Sequence, residues 1–169
     1  MSGSPTGLMG PSKDAMSSGD GAPLVEQITE GQQLLAIIVS HRFNQKGIHF
    51  FTSNDLSQQL AYMRHPTGRV IEPHVHNPVR REVHYTQEVL FIKRGKLRVD
   101  FYSESRTYLT SRVLEAGDVL LLATGGHGFE VLEEIEMIEV KQGPYAGDSD
   151  KTRFKAVDAA ERLAQNRRP

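Results

Sequence analysis

The chain has 169 residues, enough for one domain with a single barrel or sandwich core and too few for two independent catalytic domains. Lys and Arg number 20 against 21 Asp and Glu, a net charge of −1, so there is no basic excess to attract a phosphate backbone, and nucleic acid is not an expected partner. With no cysteine, disulfides, thiolate metal sites and cysteine nucleophiles are excluded, and seven histidines remain as the inventory for metal binding.

Taken in chain order, residues 1–23 are dominated by Ser, Gly, Pro and Asp and read as a disordered leader outside the fold. Residues 24–150 carry short apolar runs separated by turn signals such as Pro66-Thr67-Gly68 and Ala116-Gly117-Asp118, the rhythm of an all-β domain. Strands are expected at 34–39, 48–52, 59–64, 88–92, 96–102, 112–114, 119–122, 129–132 and 136–141. Leu97-Arg98-Val99-Asp100-Phe101 alternates apolar and polar, so one face is buried and the other wet. In the last strand Glu139 and Lys141 read as an exposed ladder pair, and facing inward instead they would mark a functional site, because paired charges inside a barrel are costly unless used or fully satisfied. From Thr152 to Gln165 the period changes: Phe154, Val157, Ala160 and Leu163 recur every three residues, which predicts one amphipathic helix within the segment 151–169. The apolar runs at 34–39 and 119–123 fall far short of the ~20 residues that cross a bilayer, and no membrane association is expected. A cytoplasmic protein is the expectation.

Pro73-His74-Val75-His76 is the strongest chemical feature. On an extended segment, side chains of period two put both imidazoles on one face, where both can reach a single ion at about 2.0–2.1 Å. The surrounding glycines are regularly placed. Gly68 precedes His74 by five residues; Glu88 opens a strand that reaches Gly95 after six more; Gly117-Asp118 begins an apolar strand, and Gly125-Gly126 leads into His127.

In these residues the chain resembles the cupin superfamily. Its first motif reads Gly, five residues, His-x-His, a gap, Glu, six residues, Gly, and Gly68, His74, His76, Glu88 and Gly95 fit it; Gly117, Gly125 and His127 fit the second in order. The resemblance covers 68–128 directly. It implies a double-stranded antiparallel β-helix, or jelly-roll barrel, to which the periodicity of 152–165 adds a short C-terminal helix. It also implies that His74, His76, Glu88 and His127 point inward onto one divalent transition metal ion, with Fe, Mn, Ni, Zn and Cu all suited to the ligand types. Two departures stand out. The gap from His76 to Glu88 is eleven residues, longer than in the family, so 77–87 forms an extra loop at the barrel mouth; and Ala123 stands where the family has proline. Glu82 is the alternative carboxylate, but Glu88 keeps the fixed spacing to Gly95.

The inserted loop holds Arg80 and Arg81, candidates for binding an anionic group on a ligand, and His84 and Tyr85, candidates for catalytic proton exchange. If the strand of Glu88 extends unbroken into the loop, Glu82, His84 and Thr86 share its inward parity. The expected function is a metal-binding cupin acting on an oxygen-rich small molecule, with the ion as Lewis acid or O2 site. Similarity to small cupins encoded among surface-polysaccharide genes points to a carbohydrate-related ligand. The competing readings are a non-catalytic binding or sensing module and a metal-free nucleotide-sugar isomerase or epimerase. The resemblance also implies a homodimer.

Overall fold

The structure is a computed structural model in which residues 22–144 and 146–165 are described; most of the leader expected at 1–23 and the last four residues of the chain lie outside them. The strands are β1 (Val25–Glu30), β2 (Gln33–Val39), β3 (Gly47–Phe50), β4 (Ala61–Arg64), β5 (Glu88–Tyr102), β6 (Tyr108–Glu115), β7 (Val119–Leu122) and β8 (Gly126–Lys141), followed by a 3₁₀ turn at Gly147–Asp150 and one helix, α1 (Ala159–Gln165). Six strands form one antiparallel sheet in the order β1-β2-β7-β5-β6, with β8 along the remaining edge of β5; β3 and β4 make a separate hairpin. The protein is therefore mostly β, with the antiparallel sheet curled into a half-barrel.

The curl originates in β5 and β8. The strands expected at 88–92 and 96–102 are one continuous strand, and so are those at 129–132 and 136–141, because each pair is joined through irregularities in the ladder and not through a turn. The register between β5 and β8 slips between Ile92 and Arg94, between Arg94 and Lys96, and between Lys96 and Leu97. Such irregularities bend a strand and can exchange its two faces. Leu90 and Ile92 before the slips, and Leu97, Val99 and Phe101 after them, accordingly belong to the same core cluster. Gly95 sits at the bend with φ +85°, and a Cβ there would lie 2.0 Å from the Glu134 carbonyl oxygen.

That cluster lines the concave side with Leu35, Leu114, Leu120 and Leu122. A second cluster, built from Val25, Ile37, Val39, Val89 and Leu121 with Phe43 and Phe51, covers the other face, where Leu60 and Tyr62 of the β3–β4 region pack. β2 and β7 are thus buried on both faces, which is why their sequences are unbroken apolar runs. The outer edge of β8 has no strand partner among the described residues, and a closed jelly roll is not seen.

The C-terminal helix is shorter than its periodicity predicts. Asp158 caps it: the Glu161 amide donates to Asp158 Oδ1 at 2.9 Å and the Asp158 amide to Glu161 Oε2 at 3.2 Å, a reciprocal capping box that fixes the start at Ala159. Phe154 precedes the helix, its ring edge-to-face with Tyr102 at 5.1 Å. The helix is tied to the sheet by Asp100, which is 5% exposed and accepts from Ser111 Oγ at 2.6 Å, Arg98 Nε at 3.1 Å and Arg162 Nη1 at 3.4 Å. Asp100→Ala leaves two half-buried guanidinium groups without this carboxylate and is expected to cost about 2–4 kcal/mol in urea unfolding. A double-mutant cycle with Arg162→Ala apportions the share held by the helix, and a loss under ~0.5 kcal/mol for Asp100→Ala would show that the network adds no net stability.

Candidate functional site

Glu88 opens β5 directly opposite Lys141 at the end of β8. Residues paired across an antiparallel ladder share a face, and alternate positions along β5 continue that face through Leu90 and Ile92, so both side chains belong to the concave side. His127 lies near the other end of the same ladder, opposite Phe101 of the core cluster. A straight strand would hold the two ends about 40 Å apart. The bend instead brings them together, with Glu88 Oε2 3.4 Å from His127 Nε2 and Glu88 Oε1 3.7 Å from the Lys141 ammonium. Lys141 is also 3.4 Å from Glu139.

The turn before His127 depends on Gly125. With φ +71°, a Cβ at that position would meet Leu35 Cδ2 and the Tyr102 carbonyl, both at 2.7 Å, so only glycine lets the chain turn there and present the imidazole. The His127 ring leans on Phe129, with centroids 5.2 Å apart.

The cluster is largely shielded, the Glu88 side chain being 15% exposed and that of Lys141 24%. Burial alone would raise the Glu88 pKa. The hydrogen bond from His127 outweighs it and holds the carboxyl below its usual value, with further help from the charges of His127, Lys141 and Lys151. Glu88 is therefore an ionised carboxylate beside an imidazole, a donor pair that suits a divalent transition metal. The Lys141 ammonium is held above its usual pKa by Glu139 first, through charge and hydrogen bonding, and then by the charges of Glu88 and Asp150.

His74 and His76 stand elsewhere. They lie on the exposed, irregular stretch between β4 and β5, with their rings edge-to-face at 5.3 Å and His74 Nδ1 2.9 Å from the Glu72 carbonyl. No strand forms there, so the period-two argument that aimed both imidazoles inward has no ladder to act on. Of the four residues expected to meet, the structure brings together Glu88 and His127, and separately His74 and His76. Among the described residues no group of three or more His, Cys, Asp or Glu side chains is placed to hold a metal ion.

The same irregular backbone decides the inserted loop. β5 begins at Glu88, so the inward parity inferred for Glu82, His84 and Thr86 is interrupted. His84 is exposed and 3.7 Å from Glu82; Arg80, Arg81 and Tyr85 are exposed as well. Arg81 and Glu82 border an open cavity of about 700 Å³ whose wall includes Phe50, Thr52 and Asn54. The two histidines outside the motif that make defined contacts are structural: His41 Nδ1 is 3.0 Å from Asp118 Oδ1, and His49 Nε2 is 3.0 Å from the Lys46 carbonyl.

Lys141 is the site residue for which the inward alternative of the sequence reading fits the structure better than the exposed one. It was expected on an exposed ladder with Glu139, yet it is half-buried beside Glu88. Its position could have been read only from the β5–β8 register, which the bulges between Ile92 and Leu97 make illegible in the sequence.

No protein-family model, curated protein or solved structure gives a significant match to this chain. What fold and site define is a mostly β protein with a curled antiparallel half-barrel sheet. On its concave face it carries a clustered carboxylate, imidazole and ammonium. Among the described residues no helix is long and apolar enough to cross a membrane.

Proposed function

We propose that this is a metal-dependent protein of the cupin type, in which Glu88 and His127 hold one divalent transition metal ion together with His74 and His76. The observation that carries the reading is the meeting of Glu88 and His127 from opposite ends of the β5–β8 ladder at 3.4 Å, with the carboxylate held ionised.

In this reading the stretch bearing His74 and His76 folds onto the outer edge of β8 and completes the jelly roll. Two exposed apolar surfaces support that closure. β8 presents Phe129, Val131, Leu132, Met137, Ile138 and Val140, and the 65–87 stretch presents Val70, Ile71, Val75, Val79 and Val83. A long unpaired strand edge with apolar side chains invites a further strand.

Each residue then has a task. Glu88 and the three imidazoles fix the ion, and Arg80, Arg81, His84 and Tyr85 stand on the loop that shapes access. The ion, here Fe, Mn, Ni, Zn or Cu, would supply Lewis-acid polarisation or an O2 site. The ligand class is an oxygen-rich small molecule, carbohydrate-related.

Elemental analysis of protein purified without added metal or chelator tests the reading. Near-stoichiometric metal in the wild type, reduced at least tenfold in both His74→Ala and His127→Ala, is the expected result. Protein that stays empty through titration with each of the five ions, or that loses metal in His127→Ala alone, would overturn the four-residue site.

A further inference from the structure

The chain from Asp150 to Arg162 runs as a strap from the cluster to the other face of the sheet, held at three separate points. Thr86, two residues before Glu88, donates its hydroxyl to Asp150 Oδ1 at 2.8 Å, and the charge of the following Lys151 acts on the Glu88 carboxylate. Further along, the Phe154 ring stands edge-to-face with Tyr102 at 5.1 Å, with the Arg106 guanidinium 5.9 Å from its centroid. Last, Arg162 donates to Asp100 Oδ2 at 3.4 Å and to the Val157 carbonyl at 2.9 Å.

Tyr102 and Asp100 alternate with Phe101 along β5 and therefore lie on the face opposite that of the core cluster. Across from them on β8 stand Gly126 and Gly128, with His127 between. Two glycines on one face leave a slot, and Phe154 fills it: a Cβ on Gly126 would lie 3.1 Å from the Phe154 ring and 3.2 Å from Tyr102 Cβ. The strap is thus fastened beside both of the ends that the bend of the ladder brings together.

We infer that this strap is a gate built into the fold. Docked, with Phe154 in the glycine slot, it walls the Glu88–His127 cluster; lifted, it opens the cluster to solutes while the sheet stays folded, with or without an ion. Its make-up suits reversible release. Residues 151–158 form no regular structure and, apart from Phe154 and Val157, are exposed, so few buried contacts oppose local opening. Asp100 keeps Arg98 at 3.1 Å and Ser111 at 2.6 Å when Arg162 leaves, so no buried charge is orphaned. The Tyr102 hydroxyl, buried against the Val157 backbone short of a well-formed hydrogen bond, gains water on release.

Carbethoxylation of the full, metal-free chain tests the gate, followed residue by residue by mass spectrometry on the alkaline plateau of the rate, where every imidazole is neutral. In wild type, His127 is expected to react about fivefold slower than the exposed His74 and His76. Phe154→Ala and Arg162→Ala are each expected to speed His127 about fivefold, and Phe154→Leu, which refills the slot, to restore the slow rate. His41, tied to Asp118, is expected to keep its rate in every variant and so reports an intact sheet. A wild-type His127 as fast as His74, or one that neither alanine variant speeds, overturns the gate. A rise at His127 that His41 shares overturns it too, because the sheet and not the strap has then opened.

Discussion

Gly95→Ala is expected to cost at least ~4 kcal/mol in urea unfolding, a large share of the ~5–15 kcal/mol that stabilises a typical domain. The left-handed backbone alone, with φ +85°, accounts for ~1–2 kcal/mol of this when a Cβ is added. The remainder is steric. The new methyl would stand 2.0 Å from the Glu134 carbonyl oxygen and 2.9 Å from that of Glu133, and both obstacles are backbone of the neighbouring strand, which cannot swing aside as a side chain can. Relieving the clash means opening the β5–β8 ladder where it bends. Gly31→Ala in the β1–β2 turn is the matched control: its φ is +57° and nothing lies within 4 Å of the added atom, so strain alone should cost ~1–2 kcal/mol. Equal losses in the two variants would show that close approach at Gly95 does not shape the sheet. If the bend does fail, the Glu88–His127 pair should separate too, and any metal uptake that the proposed site confers should be lost in the surviving folded fraction.

The sequence makes this bend visible as a spacing and hides what it does. Glu88, six residues and Gly95 can be read directly, and so can the apolar runs of β2 and β7, because burial on both faces leaves no alternation to misread. β1 escapes because Val25 and Ile28, its two buried residues, are three apart, and the β-bulge after Ile28 breaks the period of two that marks a strand. The C-terminal helix is overextended for the opposite reason. Phe154 and Val157 fall at helical spacing but precede the cap in chain without regular structure, whereas the Asp158–Glu161 capping box marks the true start. Of the site, the meeting of Glu88 and His127 is legible only through the motif spacing and the resemblance it carries, and the hydrophobic pattern does not show it. It depends on three slips in one ladder, each of which changes which face a residue joins, and hydrophobic period carries no record of a slip that the neighbouring strand absorbs. Lys141 is lost to the same cause.

If the proposed metal site forms, hydrogen exchange along β8 should slow by about two orders of magnitude on saturation with a divalent transition metal ion. The outward amides of β8 have no strand partner among the described residues, so they are expected to exchange quickly in metal-free protein. Closure by the His74–His76 stretch would pair them. The energetics place that closure near balance without the ion. Ordering about eight residues from Arg69 to His76 costs ~1–2 kcal/mol each. Burying Val70, Ile71, Val75 and the three or four side chains of β8 that they cover returns ~1.5–3 kcal/mol each, so gain and cost nearly cancel. On the proposed reading, ligation of an ion by His74 and His76 would decide the equilibrium, since metal binding free energy is available to folding, up to ~10–16 kcal/mol for a complete structural site. The expected pattern is protection of alternate amides between Phe129 and Val140 on ion addition, absent in His74→Ala and His76→Ala. Amides that stay fast in ion-saturated wild type would exclude closure onto this edge. Amides already slow without the ion, and unchanged by His76→Ala, would show that apolar burial alone seals the barrel, with His74 and His76 carried to the site before any ion arrives.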